Sequence, residues 1–222
     1  MERFFKLGDI NTWSDWSLVL TSKDVSPPEP KTNYVELDGM SGSLDLSEAL
    51  SGEITYKDRT VSASFWTSEG SRKDRARLIQ KIIATLHGKK IKIIEPDDPD
   101  HYFYGRVKIK GFNNVIPYTE LNIEATCEPW RYALENISRT LVVKSNENIK
   151  VVINNNGVKT LCPTITVNGR IDLSYKDVTA SLSTGTYIVS DIKLYQGDNI
   201  ISVSGTDTGT SSVTFTYREA DL

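Results

Sequence analysis

The sequence has few of the residues on which most catalytic and metal sites depend. Its 222 residues include two histidines and two cysteines, Cys127 and Cys162. Two cysteines are too few for a disulfide framework. The longest apolar runs are only a few residues, whereas a membrane span needs about 20, so we expect no membrane anchor. The amino terminus lacks the apolar region of an export signal, and we therefore expect a soluble chain made in the cytoplasm.

The charge is nearly balanced and unevenly distributed. The chain has 26 basic and 29 acidic residues, with no basic run of the kind that binds nucleic acid. Up to Glu135 there are 18 basic and 21 acidic residues, and from Asn136 onward there are 8 of each in a Ser-, Thr-, Asn- and Gly-rich segment. This change predicts two domains, residues 1–135 and 136–222.

One amphipathic helix is predicted over residues 71–87. Residues 71–74 resemble a capping box, in which Asp74 replaces the usual Glu or Gln. The apolar side chains then follow the i, i+3, i+4, i+7 pattern of a helix, at Ile79, Ile82, Ile83 and Leu86. The opposite, solvent-facing side carries Arg72, Lys73, Arg75, Arg77, Gln80 and Lys81. We place His87 in the last turn, as a capping residue near the negative end of the helix dipole, and Gly88 in the left-handed position after it.

Most other segments alternate apolar and polar residues as half-buried strands do. Turn signals separate them at 154–157, 168–169, 197–199 and Gly205. The predicted strands lie near residues 89–94, 102–109, 121–127, 151–153, 164–167, 187–189, 192–195, 200–203 and 213–217. The fold class is therefore mainly β, with an amino-terminal β domain that contains the helix and a carboxyl-terminal β-sandwich.

The acidic turn at residues 95–100 is the best metal candidate. Four carboxylates within six residues offer hard oxygen ligands to Ca²⁺. The turn lacks the glycine and the terminal glutamate of a calcium loop, and its two prolines favour a solvated hairpin connection. We therefore predict no metal site.

The remaining groups do not form a catalytic motif. His87 and His101 have no Ser or Cys motif beside them, and there is no Gly-x-Ser-x-Gly elbow, zinc-ligand spacing or glycine-rich phosphate loop. Cys127 is in phase with buried strand positions and is predicted to be a core thiol, as is Cys162. We predict no catalytic residue and no cofactor, and therefore no enzyme.

Aromatic and proline-rich segments point instead to surfaces. The tryptophans are Trp13, Trp16, Trp66 and Trp130. They are predicted to pack in the core or in an interface, although exposed rings stacked on sugars would bind carbohydrate. The proline-rich segment at residues 23–31 cannot form a helix or a central strand, and we expect an extended arm suited to a subunit contact.

Taken in order, several stretches resemble the distal tail protein (Dit) family of long-tailed bacteriophages and phage-like particles. They are TWSDWSL (12–18), PPEPK (27–31), DGMSGSLDLSE (38–48), YKDR (56–59), LHGK (86–89), YFYGR (102–106), CEPW (127–130), GDNI (197–200) and YREADL (217–222). The resemblance covers essentially the whole chain.

The resemblance implies a virion structural protein of a phage or prophage tail. It implies a hexameric ring at the tail tip, a baseplate hub, with a channel made by the amino-terminal domains and galectin-like carboxyl-terminal sandwiches. The implied partners are further copies of the chain, the tail tube protein, the tail-associated hub protein and, in some members, receptor-binding proteins. DNA would meet the protein only in passing through the channel.

Two alternatives stay open from the sequence. The protein is either this ring hub or a carbohydrate-binding module that recognises host cell-wall saccharide. Lys89, Lys90 and Lys92 either line a channel and meet DNA, or protect a solvated strand edge from aggregation.

Overall fold

The computed structural model describes residues 4–114 and 116–222. They form two compact units, residues 4–131 and residues 132–221. Residues 1–3 lie outside the described residues. The expectation of no export signal rests partly on them. In the described residues, the helix is too short to span a bilayer.

The amino-terminal unit is a twisted antiparallel sheet with one helix. Its elements are β1 (Lys6–Leu7), β2 (Ile10–Asn11), β3 (Val19–Val25), β4 (Tyr34–Glu36), β5 (Ser43–Asp45), β6 (Arg59–Thr67), α1 (Arg72–Leu86), β7 (Lys90–Glu95), β8 (Asp98–Asn114) and β9 (Thr119–Ala133). The strand order across the sheet is β2-β1-β7-β8-β9-β6-β3, and β4 and β5 form a separate hairpin. The mainly β fold class predicted from the sequence is confirmed.

The predicted helix forms with the predicted caps. The Ser71 hydroxyl accepts from the Asp74 amide while the Asp74 carboxylate accepts from the Ser71 amide, which is the full capping box. Gly88 has a φ of +78°, the left-handed conformation that glycine adopts without strain. His87 is the C-cap residue, as predicted: its amide donates to the Ile83 carbonyl at 3.0 Å, and its Nδ1 accepts from the Ile109 amide at 3.2 Å.

The core of this unit lies between α1 and one face of the sheet. Ile79, Ile82 and Leu86 are fully buried there, against alternate side chains of β6, β8 and β9. Arg75 was predicted to face solvent but is 5% exposed. Its guanidinium donates to the Thr119 hydroxyl at 3.1 Å and to the Gly70 carbonyl at 2.8 Å, which is how a buried cation is tolerated.

The carboxyl-terminal unit is a sandwich of two four-stranded antiparallel sheets. Its strands are β10 (Ile137–Lys144), β11 (Asn148–Asn155), β12 (Thr164–Asn168), β13 (Ile171–Tyr175), β14 (Val178–Leu182), β15 (Gly185–Ile188), β16 (Gly197–Gly205) and β17 (Thr210–Tyr217), and the short β18 (Ala220–Asp221) lies outside these two sheets. The sheet orders are β10-β17-β12-β15 and β11-β16-β13-β14. Their inner faces meet in one apolar core around Ile165, Val203 and Phe215.

Two sequence predictions for this unit are wrong. Residues 192–195 were predicted as a strand, but only Leu194 makes a bridge, to Leu161. Ile192 and Leu194 are nevertheless buried, so the alternation reflected burial of a loop rather than strand pairing. Residues 197–199 were predicted as a turn but begin β16, where the buried Asn199 side chain bonds to Tyr195 and Gly197 and thereby satisfies the polar groups of the adjoining loop.

Candidate assembly surfaces

The face of the amino-terminal sheet opposite α1 is open and charged. Side chains alternate between the two faces along strands β7, β8 and β9. The apolar ones face the core, and the basic and acidic ones point to the open side. Lys90 binds Glu128 at 2.6 Å, and Lys110 binds Glu124 at 3.1 Å. The hydrogen bond to Glu128 raises the pKa of Lys90, so this lysine stays charged.

A groove of about 610 Å³ runs along part of this face. Its lining combines Lys90, Arg106 and Lys108 with Asp58 and Glu128, next to the end of α1. Since the lining holds two carboxylates beside these three basic side chains, and Glu128 already pairs with Lys90, the groove suits a mixed-charge contact better than a tightly held anion.

Lys89, Lys90 and Lys92, which the sequence offered as a channel lining or a strand edge, lie in and just before β7, beside this groove. Lys90 Nζ sits 4.6 Å from the centre of the Tyr104 ring, and Lys92 Nζ sits 4.7 Å from the centre of the Tyr102 ring. Strand β1 pairs with β7 at residues 93 and 94, and the Gly8 amide donates to the Lys92 carbonyl at 2.8 Å. Both interpretations of these lysines, a channel lining or a protected strand margin, therefore remain predictions.

The acidic turn is tighter than predicted and its carboxylates contact cations. Strand β7 ends at Glu95 and β8 already begins at Asp98, so residues 98–100 belong to a strand rather than to a loop. Lys23 forms ion pairs with Glu95 and, at 2.9 Å, with Asp97. Burial alone would lower the pKa of Lys23, but its hydrogen bonds to these two carboxylates raise it.

Asp98, the first residue of β8, contacts a histidine and an arginine. Asp98 lies 2.8 Å from His101 Nδ1 and 2.8 Å from Arg131. Within residues 4–114 and 116–222, no group of three or more His, Cys, Asp or Glu side chains is arranged to hold a metal ion.

The two thiols differ. Cys127 is fully buried, as predicted, and burial raises the pKa of its thiol to about 12. No side chain fits opposite it, since a Cβ on Gly105 would collide with its sulfur. Cys162 was also predicted to be buried but is exposed, because it lies in the loop before β12 rather than in a strand.

The proline-rich segment is the base of a longer arm. The segment after β3 and the segment before β6 run side by side as a ribbon. The Lys57 amide donates to the Glu29 carbonyl at 2.8 Å, and the Lys31 amide donates to the Thr55 carbonyl at 2.8 Å. We call residues 31–55 the arm. It contains the β4–β5 hairpin, and none of its residues belongs to the described core of the unit.

The arm exposes large apolar side chains with no cover from the described residues. They are Tyr34, Leu37, Met40, Leu44 and Leu50, exposed by 41% to 104%. A cluster of this kind marks a contact site in a protein that is otherwise well packed. The sequence pattern predicted only the proline-rich base of this arm. The apolar residues at 34–50, which stand among acidic residues and glycines, were the signal that could have predicted the exposed part of the arm.

An exposed aromatic pair lies near the end of β6. Trp66 and Tyr118 are each 37% exposed and meet edge to face with ring centres 6.5 Å apart. With Thr21 and Glu120 they line a shallow groove of about 320 Å³. A bulge between Leu20 and Ser22 in β3 is what leaves Thr21 at this position. Trp13 is also exposed, whereas Trp16 is buried and Trp130 packs on Tyr56.

The comparisons with known proteins bear on the fold. No protein-family model and no curated protein sequence matches this chain. Its structure is similar to the crystal structure of the SPP1 Dit (gp 19.1) protein, with a TM-score of 0.68 and 16% sequence identity over 97% of this chain and 98% of that one. That protein is described as a paradigm of hub adsorption apparatus in Gram-positive infecting phages. The chain therefore has a Dit-like fold over nearly its whole length.

Proposed function

We propose that this protein is a structural hub subunit of a phage tail or phage-like particle. Copies of the chain form a hexameric ring at the tail tip that joins the tail tube to the tail-associated hub protein or baseplate. The observation that carries this proposal is the fold likeness to a phage hub protein along nearly the full length of both chains.

The surfaces of the amino-terminal unit support assembly as the working function. Strand β3 lies at a margin of the sheet and pairs only with β6 in the described residues. An unpaired margin of this kind accepts a strand from another chain. A ring subunit must present two different surfaces to its neighbours, and an open strand margin together with an exposed arm provides them.

The proposed function is not catalytic. Its partners are further copies of the chain, the tube protein and the hub protein, with receptor-binding proteins at the periphery in some particles. DNA passes the open charged face of the sheet only in transit. Its location is the virion tail tip, after synthesis in the host bacterial cytoplasm.

The ring is tested by measuring the mass and shape of the purified chain. Light scattering after size-exclusion chromatography is expected to give about 149 kDa, six times the 24.8 kDa chain. Negative-stain images are expected to show a six-fold ring with a central hole. A strictly monomeric protein at high concentration, together with no ring in assembled tails, would contradict the proposal.

Saccharide binding is the second candidate function, favoured by the Trp66–Tyr118 groove. Exposed aromatic faces beside a hydroxyl and a carboxylate are the chemistry of sugar recognition. All four tryptophans precede residue 132, so this candidate belongs to the amino-terminal unit rather than to the sandwich. Binding on an array of cell-wall glycans that is lost in Trp66→Ala but kept in Trp13→Ala would support it, and no binding by the parent would exclude it.

A further inference from the structure

The arm is strongly acidic. It contains five carboxylates and one lysine. In the described residues, Glu36, Asp38 and Glu48 are exposed and pair with no cation. Asp45 is also charged, because hydrogen bonds from the Ser47 hydroxyl and amide lower the pKa of its carboxyl. These negative charges surround the exposed apolar side chains of the same segment.

Helix α1 presents the opposite charge on its outer side. Lys73, Arg77 and Lys81 are exposed and follow one another at i, i+4, i+8, which places them in a line about 12 Å long. Asp74 is the one carboxylate on the helix, and it lies 3.8 Å from Arg77. Like charges at i, i+4 destabilise a helix, so this stripe opposes the stability of α1 itself.

The open face of the sheet is a weaker match for the arm. Two of its lysines already have carboxylate partners, in the Lys90–Glu128 and Lys110–Glu124 pairs. An acidic segment placed there would compete with these pairs, whereas along α1 it would meet cations that have one carboxylate among them.

We propose that the acidic arm of one copy docks along the Lys73–Arg77–Lys81 stripe of a second copy. Nine residues from the base to Gly39 span about 30 Å when extended, and the 15-residue helix is about 22 Å long, so the arm is long enough to follow it. The aliphatic stems of the lysines and the arginine offer apolar surface to Leu37 and Met40 of the arm. This inference rests on the proposed ring and names the surfaces that join its subunits.

Two charge-reversed variants test the pairing. The first carries Glu36→Lys, Asp38→Lys and Glu48→Lys on the arm. The second carries Lys73→Glu, Arg77→Glu and Lys81→Glu on the helix. Circular dichroism and thermal melting of each variant establish that it is folded. Each variant alone is expected to oligomerise at least about tenfold more weakly than the parent, because every contact then places like charges together.

Mixing the two variants gives the sharpest result. Reversed arms then meet reversed helices and parent arms meet parent helices, so the two chains can alternate around a ring of six. We expect assembly to return in an equimolar mixture, and assembly by either variant alone would overturn the inference. A mixture of folded variants that stays monomeric would overturn it as well.

Two controls separate this inference from the proposed function. The variant Lys92→Glu, Lys108→Glu reverses cations on the open sheet face, and it is expected to assemble like the parent. If it fails to assemble while the helix variant succeeds, the arm docks on the sheet face and the inference is wrong, although the ring stands. If the parent chain itself forms no oligomer, both the ring and the docking contact are overturned.

Discussion

The two units bury their sheets in different ways. In the carboxyl-terminal unit, two sheets cover each other, and Ile192 and Leu194 of a loop complete their shared core. In the amino-terminal unit, a single helix covers one face of the sheet, while the other face and the arm stay open. A sheet covered on one side and an arm that adds no residue to the described core leave surface for other chains. Under the proposed function, we therefore expect the contacts between subunits to concentrate in the amino-terminal unit.

The largest expected effect is loss of the helix–sheet core. Ile82→Asp places a charge at a fully buried position and is expected to cost on the order of 4 kcal/mol of unfolding free energy. All four tryptophans lie in the amino-terminal unit, so their fluorescence follows its unfolding in urea. Gln80→Asp, on the exposed side of the same helix, is the matched control and is expected to unfold near the parent midpoint. An Ile82→Asp midpoint equal to that of the parent would show that α1 does not pack as described.

A smaller effect is expected from the polar centre of the sandwich. The Asn199 side chain accepts from the Tyr175 hydroxyl at 2.8 Å and donates to the Tyr195 carbonyl at 2.7 Å. Asn199→Ala leaves these buried groups unpaired and is expected to cost on the order of 2 kcal/mol.

The readout for this variant separates the two units. The far-ultraviolet circular dichroism transition is expected to shift while the tryptophan transition stays in place. Asn154→Ala removes an exposed hydrogen bond from the same sheet and serves as the control, with an expected cost below about 0.5 kcal/mol. Equal costs for the two substitutions would mean that Asn199 is not the structural centre described here.

The smallest effect concerns reactivity rather than stability. At pH 8 the buried Cys127 thiol stays protonated, since its pKa is raised to about 12, whereas Cys162 is exposed. A thiol reagent is therefore expected to modify one cysteine per native chain quickly, and two in urea. Rapid modification of a native Cys162→Ser variant would contradict the burial of Cys127.

Sequence patterns predicted the local elements well where a local rule decides them. The capping box at Ser71, the left-handed Gly88 and the burial of Cys127 each follow from near neighbours in the chain. Patterns failed where distant residues decide. Arg75 is buried because its guanidinium donates to the hydroxyl of Thr119 and to the carbonyl of Gly70. Residues 192–195 alternate without forming a strand because they belong to a loop whose apolar side chains pack in the core of the sandwich.

The candidate surfaces were only partly predictable. The proline-rich base of the arm was readable, because proline excludes helix and central strand. The pairing of Trp66 with Tyr118 was not, since a helix and two strands separate β6, which holds Trp66, from Tyr118 just before the start of β9.

The sequence by itself determined the fold class, the place of the helix and the absence of any recognisable catalytic motif, because periodicity, capping and motif spacing are local properties of the chain. Tertiary structure alone decided which face of the sheet stays open, which cations find carboxylates and that the arm packs on no core of its own. Those outcomes depend on which distant strands pair and on what remains uncovered once they have done so.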